Sequence, residues 1–312
     1  SSSKKNQDKS SNASRMQRER NSMLWEKEEL DKKRLDEKKQ IVRMDEQLIF
    51  HEIFPGSFLL GESSEQIPTK ITRRYSLMAT LMNQYVWSVI QIALGERDPK
   101  KINPSHFKYG SDSVVINIDG IDVAMQPKHP VEMVSWDTVS QWIDGLNRLS
   151  KSDDPKVQDL LRRLIPYHQK GNNYDLPSLA QMEFVQRDLG KITQDFIDGS
   201  APSSSSKHIW HEENANNKTH SVTSLEPRNI YGSDFYHLDG HLAEFLKDRW
   251  DGVSELQGGD DPLGIVGDYR LVKGASWFDA NFYHRLGARK KILPNSYSNK
   301  IGFRLIVTQD VR

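Results

Sequence analysis

Residues 272–289 read VKGASWFDANFYHRLGAR, and residues 299–306 read NKIGFRLI. Glycine and aromatic residues are dense here and no helical apolar repeat runs through them, so short strands and turns are expected. Gly274, Gly302 and the earlier Gly240 suit positive-φ or close-packed turns. Trp277 and Trp136 are expected in the core, and Arg304 is expected to pair inside the domain. Between the two blocks, Phe278, Asp279, Asn281, Phe282, Tyr283 and His284 offer aromatic, amide, carboxylate and imidazole groups. No cysteine occurs there or anywhere else in the chain.

The chain has 312 residues, 36% of them apolar, which is enough for one large or two ordinary domains with a genuine core. Its 43 basic and 43 acidic residues cancel, so no field of one sign draws it to a polyanion, and no nucleic-acid partner is expected. No apolar run reaches the length of about 18 residues that a membrane-spanning helix needs, so no transmembrane segment is expected. Without cysteine there is neither a disulfide nor a thiol nucleophile, and that alone does not fix the compartment.

Residues 1–14, SSSKKNQDKSSNAS, lack large apolar side chains and are expected to be a disordered tether. Residues 15–46 are rich in Glu, Lys, Arg and Leu without Gly or Pro, which predicts a charged helix. Met16, Met23 and Leu30 fall seven apart, a seam too sparse for a coiled coil, so the helix is either solvated or binds a partner. The folded domain is expected over 47–312. QLIFHEIFPGSFLLG (47–61) predicts strand, turn, strand; MATLMNQYVWSVIQIAL (78–94) a helix; and SVVINIDGIDVAM (113–125) a hairpin turning at Asp119-Gly120. SWDTVSQWIDGLNRL (135–149) and DLPSLAQMEFVQRDLG (175–190) predict helices capped by Ser135 and Ser178. Residues 198–220 are polar and broken, so a loop is expected there. Helices in the first half and strands and loops in the second make this an α+β domain with much irregular backbone.

Seven motifs in order give the chain a family likeness. IFPGSFLLG (53–61) resembles IPGGSFLMG, ATLMNQYVW (79–87) resembles EVTNEQYAxF, and HPVEMVSWDTVSQW (129–142) resembles PVVNVSWxDAxAYxxW. YDLPSLAQMEF (174–184) is similar to YRLPTEAEWEY, HIWHEENANN (208–217) to YPWGxxxxxxNAN, and FYHLDGHLAEFLKD (235–248) to LYDMxGNVWEWxxD. VKGASW with NKIGFRL is similar to VxRGGSW with IGFRL. Together they resemble the formylglycine-generating-enzyme, or sulfatase-modifying-factor, domain, whose fold is distantly related to C-type lectins, over about residues 47–308.

The resemblance implies chemistry that this chain cannot perform. Family enzymes that make formylglycine place two cysteines between the GGS and GFR motifs, where a soft thiolate pair binds copper. Here that segment offers no thiol, so the cysteine-dependent reaction is excluded. The sulfoxide-synthase branch needs a histidine-bearing helical bundle ahead of the domain, and residues 1–46 contain no histidine. His208 and His211, with Glu212 and Glu213 beside them, have a metal-like spacing but sit in a Ser- and Asn-rich context that points to a loop with Trp210 tucked inward. The resemblance also implies calcium as the possible cofactor, with Glu244 in one site and Asn216 in another; His241, in place of the motif's asparagine, is a poor calcium ligand. Asp153-Asp154 and Asp260-Asp261 read as solvated turns rather than acid–base pairs, and no nucleotide-binding, serine-hydrolase or HExxH motif occurs.

Two functions follow as expectations. One is a non-catalytic structural or protein-binding module of a bacterial envelope assembly, such as a secretion or gliding-motility machine, with protein partners. The resemblance to cysteine-free lipoproteins of that kind implies a periplasmic or outer-membrane-associated location and a lipid anchor lost from the N-terminus. The other is a C-type-lectin-like receptor or display protein that binds its ligand with Phe278, Asp279, Asn281, Tyr283 and His284.

Overall fold

The computed structural model describes residues 14–31, 46–197 and 207–308. The readings of 1–13 as tether, 32–45 as helix and 198–206 as loop lie outside the described residues. Residues 14–31 form helix α1, exposed along its length, with an Arg15–Glu19 ion pair one turn apart. Among the described residues no helix is long and apolar enough to cross a membrane.

From Glu46 onward the chain builds several small sheets around two large apolar cores and two smaller apolar clusters. Strands β1 (Phe50–Ile53) and β2 (Gly56–Leu60) flank Pro55 and do not pair with each other. β1 pairs antiparallel with β4 (Tyr75–Met78), while β2 pairs antiparallel with β3 (Ile67–Ile71). The Pro-Gly turn therefore passes the chain from one sheet to the next.

The first sheet has the order β1-β4-β15-β7, so β15 (Ile306–Thr308) slots between β4 and β7 (Asn173–Asp175). A second runs β13-β12-β10-β14, built from β10 (Ala243–Trp250), β12 (Tyr269–Lys273), β13 (Arg289–Ile292) and β14 (Ile301–Gly302). A third joins β11 (Gly259–Asp260) to β3 and β2. Two hairpins complete the set: β5 (Val114–Ile118) with β6 (Ile121–Met125), and β8 (Arg228–Ile230) with β9 (Ser233–Phe235). In the first hairpin Asp119 and Gly120 take φ of 50° and 82°, the two positive values a tight two-residue turn requires.

Helix α2 (Gln84–Ala93) is shorter than its apolar run predicts. Asn83 caps it by accepting the Val86 N–H at 2.8 Å, whereas Met78 ends β4 and Met82 donates its N–H to the Phe303 carbonyl. The single turn α3 (Pro99–Ile102) follows, and α4 (Trp136–Ser150) is capped by Ser135 as expected. Helix α5 (Pro155–Leu164) stands where the sequence reads as a solvated turn: Asp154 caps it and Pro155 opens it. In α6 (Leu179–Gln186), Ser178 and Gln181 form a reciprocal capping box. Among the described residues no α-helix follows α6.

One core lies where α2, α4 and α5 pack on the strands. Trp87 and Trp142 stack with centroids 5.0 Å apart, and Phe303 meets both rings edge-on at 5.8 and 5.9 Å. The second large core gathers Phe58, Phe184, Phe235, Leu246 and Leu271 between α6 and the strands. Gly287 brings the chain after the 272–289 stretch against the start of the domain. A Cβ there would lie 2.4 Å from the Glu62 nitrogen and 2.5 Å from the Gly61 carbonyl carbon, both of them backbone. Gly287→Ala is therefore expected to cost about 1–3 kcal/mol in urea unfolding; an unchanged midpoint would show that the backbone yields there freely.

Candidate functional site

β12 ends at Lys273, and Gly274 turns the chain with φ of 80°, opening a loop that runs to β13. Asp279 fastens the first turn: its Oδ2 accepts the Ser276 N–H at 2.7 Å and the Ser276 hydroxyl at 3.0 Å. Trp277 then points inward, where its Nε1–H donates to the Asn299 carbonyl and its ring meets Phe107 edge-on at 5.4 Å. Residues Asn281–Tyr283 form a 3-10 turn.

The loop divides its side chains between two duties. Phe278, Phe282 and Tyr283 are 54%, 56% and 53% exposed, three aromatic rings on the surface with solvent access. The Lys300 ammonium sits 3.7 Å from the Phe278 centroid, and the Arg285 guanidinium lies 5.0 Å from that of Phe282. Arg285 is also held by Glu62 at 2.9 Å. Asn281 is half-buried. His284, expected among the exposed contact residues, is buried: its Nδ1–H donates to the Asp239 carbonyl at 2.7 Å. Gly240 makes that approach possible, since a Cβ on it would lie 3.0 Å from His284 Nδ1.

Beneath the loop is a group of histidines that no sequence motif reveals. His237 donates its Nε2–H to the Ser224 carbonyl at 2.6 Å, which leaves its Nδ1 as an acceptor. His241 accepts the His220 N–H on Nε2 at 2.9 Å, which leaves its Nδ1 as the donor across the 3.1 Å gap to His237 Nδ1. Both tautomers are thus fixed, and both rings must be neutral. Trp210 stacks on His220 at 3.7 Å, and Trp277 donates its backbone N–H to the His241 carbonyl at 2.9 Å. The histidines therefore hold the floor on which the aromatic loop stands.

Burial pushes His237 down to about 3 and His241 well below the usual imidazole value; neighbouring His220 and Arg304 push in the same direction, as do His237 and His129 on His241. Lys273, at the loop's entry, is buried too and is lowered first by burial, against the Glu183 carboxylate that it contacts at 2.9 Å. Glu183 also accepts from Arg187 Nε at 3.0 Å and from the Gly61 N–H at 2.6 Å, while Lys273 donates to the Leu286 carbonyl, so its ammonium joins the loop's entry to its exit.

The matching family model is the sulfatase-modifying factor enzyme 1-like domain, over residues 52–309. The chain belongs to that family. Three solved structures share the fold. Treponema denticola variable protein 1 is 22% identical, with a TM-score of 0.60 over 82% of this chain and 94% of that one. PvdO from Pseudomonas aeruginosa is 17% identical, with a TM-score of 0.56 over 83% and 93%. CarF is 18% identical, with a TM-score of 0.51 over 85% and 100%. No curated protein sequence matches the chain significantly.

Copper does not fit these residues, and calcium does not fit the position at Glu244. Copper has no thiolate to bind, since this sulfatase-modifying-factor domain contains no cysteine. Glu244 is not open to calcium: its two oxygens accept from Arg304 Nε at 2.6 Å and Arg304 Nη2 at 3.2 Å, and the pair is buried. A guanidinium already supplies the counter-charge that a cation would bring. Asn216 is exposed with φ of 54°, in the Asn-rich turn. His208 and His211 diverge, the first bonding the Glu226 carbonyl at the surface and the second buried with its ring 6.2 Å from that of His284. Among the described residues no three His, Asp or Glu side chains gather closely enough to hold a metal ion.

The histidine pair makes the floor acid-sensitive. An unfolded imidazole titrates near 6.5, so below about pH 6.5 the unfolded chain takes up protons that the folded one refuses. Stability present at neutral pH is then lost as pH falls toward the depressed folded value, at roughly 1.4 kcal/mol per pH unit for each such histidine. His241→Asn, the residue of the family motif, removes one of these groups, and its urea-unfolding free energy is expected to fall less steeply than the wild type's between pH 7 and 4.5. Carboxylates common to both proteins cancel in that comparison, so equal slopes would dismiss the neutral-pair assignment.

Proposed function

We propose that this protein is a non-catalytic member of its family, a protein-binding module that recognises its partner with Phe278, Phe282 and Tyr283. The carrying observation is that three large aromatic side chains stand more than half exposed on a loop whose backbone is fixed from below. Aromatic side chains dominate binding hot spots, and a rigid presentation lowers the entropy cost of association. The absence of cysteine supports the non-catalytic half of this reading.

The setting we propose is a bacterial envelope assembly of the secretion or motility kind, at the periplasmic or outer-membrane surface. Its support is the motif likeness together with α1, where Met16, Met23, Leu24, Trp25 and Leu30 are all exposed and join none of the apolar clusters among the described residues. Such a helix suits a neighbour within an assembly. The receptor reading shares the loop and differs in the ligand.

Affinity capture from the native envelope fraction distinguishes these readings. The full chain, a deletion of residues 1–46 and the triple variant F278A/F282A/Y283A are compared by mass spectrometry. A protein partner lost at least tenfold from the triple variant is expected, with further partners lost from the deletion. A partner set indifferent to the triple variant would remove the loop from recognition, and binding of a glycan or small molecule in its place would favour the receptor.

A further inference from the structure

Beside Phe107, the ring on which Trp277 packs, lies a buried acid that joins none of the ion pairs described above. We propose that Glu132 is held in the fold as a neutral carboxylic acid and acts as a proton-operated latch, closing the 106–108 turn against Trp277 and so fixing the aromatic loop. The inference deepens the recognition reading and rests on it only for what the loop binds.

Glu132 lies just ahead of helix α4 and is fully buried. Its Oε1 accepts the Phe107 N–H at 3.1 Å, while its Oε2 is buried without a hydrogen-bond partner. Glu183 and Glu244, equally buried, each contact a cation within 3 Å; Glu132 has no such ion pair among the described residues. A bare carboxylate in this place costs far more than a neutral acid with one idle hydroxyl, so the proton stays on Oε2.

The side chains that close around it are uncharged. Ser105 Oγ accepts the Glu132 N–H at 3.4 Å, and Gln84 donates to the Pro130 carbonyl at 3.3 Å. Gln126 and Gln84 both donate to the Phe107 carbonyl, at 2.7 and 3.2 Å, so Phe107 is gripped at its N–H by the acid and at its oxygen by two amides. The charged neighbours are engaged elsewhere. Lys108 bonds the Asn103 carbonyl at 3.4 Å, His129 pairs with Asp112 at 2.9 Å, and the His106 ring meets that of Phe107 edge-on at 4.7 Å. On the side where Met133 donates to the Ser298 carbonyl, Lys300 is drawn to the Phe278 ring. Burial pushes Glu132 up to about 8, against the Phe107 and His106 amides and the Lys108 ammonium, which favour its charged form.

The latch reaches the surface through two ring contacts. Phe107 meets Trp277 edge-on at 5.4 Å, and Trp277 meets Phe278 edge-on at 5.9 Å. When Glu132 releases its proton to solvent, one oxygen of the new charge is bonded and the other is bare. The turn then has to open to water, or to the Lys108 ammonium leaving Asn103, and the packing under Trp277 loosens.

The test compares urea unfolding of the wild type and Glu132→Gln, a neutral amide of the same shape, from pH 5 to 9.5. A glutamate in the unfolded chain ionises near 4.3, so as pH rises the unfolded chain loses a proton that the folded one keeps. Stability is therefore lost as pH climbs toward the raised folded value and levels off above it. The ratio of wild-type to variant unfolding constants is expected to rise about tenfold per pH unit between roughly pH 5 and 8, with groups common to both proteins cancelling. Fluorine NMR of protein labelled with 5-fluorotryptophan reads the loop: the Trp277 resonance, assigned with Trp277→Phe, should shift with a midpoint of about 8 in the wild type and stay still in Glu132→Gln. Should that variant not fold, Lys108→Met serves in its place, since removing the ammonium should raise the midpoint. A flat ratio from pH 5 to 8 shows an acid that ionises as in the unfolded chain and overturns the proposal. A Trp277 resonance that ignores pH, or that titrates alike in the wild type and the variants, overturns it too, and neither result touches partner binding by the loop.

Discussion

The buried pair of Arg304 and Glu244 is the constraint on which the rest of the domain depends. Arg304 sits in the last motif of the chain, Glu244 at the start of β10, and the guanidinium also donates to the carbonyls of Met78, Tyr236 and His237. One side chain thus ties the first sheet, the central strand and the histidine floor. A charge so buried is tolerable only because each of the three guanidinium nitrogens finds an acceptor, and removal of one partner would strand the other. The same saturation explains why a position that the family likeness marks for calcium is closed to it.

The second buried ionic group, Lys273 with Glu183 and Arg187, works in parallel at the mouth of the loop. It joins β12 to α6 and to the Gly61 backbone, so the loop leaves and re-enters the domain from fixed points. Asp279 supplies local stiffness between those points. With the loop's ends, turn and floor all settled, exposing three aromatic rings costs little further entropy. That is the physical basis for reading the surface as a recognition site rather than a frayed segment.

Much of the architecture was legible because its signals are local. Asp119-Gly120 fixes a hairpin by backbone geometry alone, and Ser135 and Ser178 announce their helices through one side-chain bond each. The start of α2 is not legible because the apolar run continues unbroken from β4, and periodicity cannot separate a buried strand end from a buried helix. Helix α5 is hidden in the sequence because Asp153-Asp154-Pro155 reads as turn chemistry, and Leu161 and Leu164 find their core only in the folded chain. The candidate site was legible only in outline. Local sequence marks the aromatic loop, but the burial of His284 depends on Gly240 more than forty residues earlier, and the pairing of His237 with His241 depends on bonds to Ser224 and His220. Those are tertiary facts, with no period or spacing to betray them.

The place of β15 in the first sheet carries a consequence for how the molecule comes into being. Because Ile306–Thr308 lies between β4 and β7, those two strands have no direct neighbour in each other until the final segment arrives. A ribosome therefore releases nearly the whole domain before its first sheet can close, and Phe303 and Arg304 reach their places in the same late step. During synthesis, strand edges near residues 75–78 and 173–175 stay open, a window in which pairing with another nascent copy competes with completion. The first sheet's commitment to its fold is made only once residues 303–308 have been synthesised.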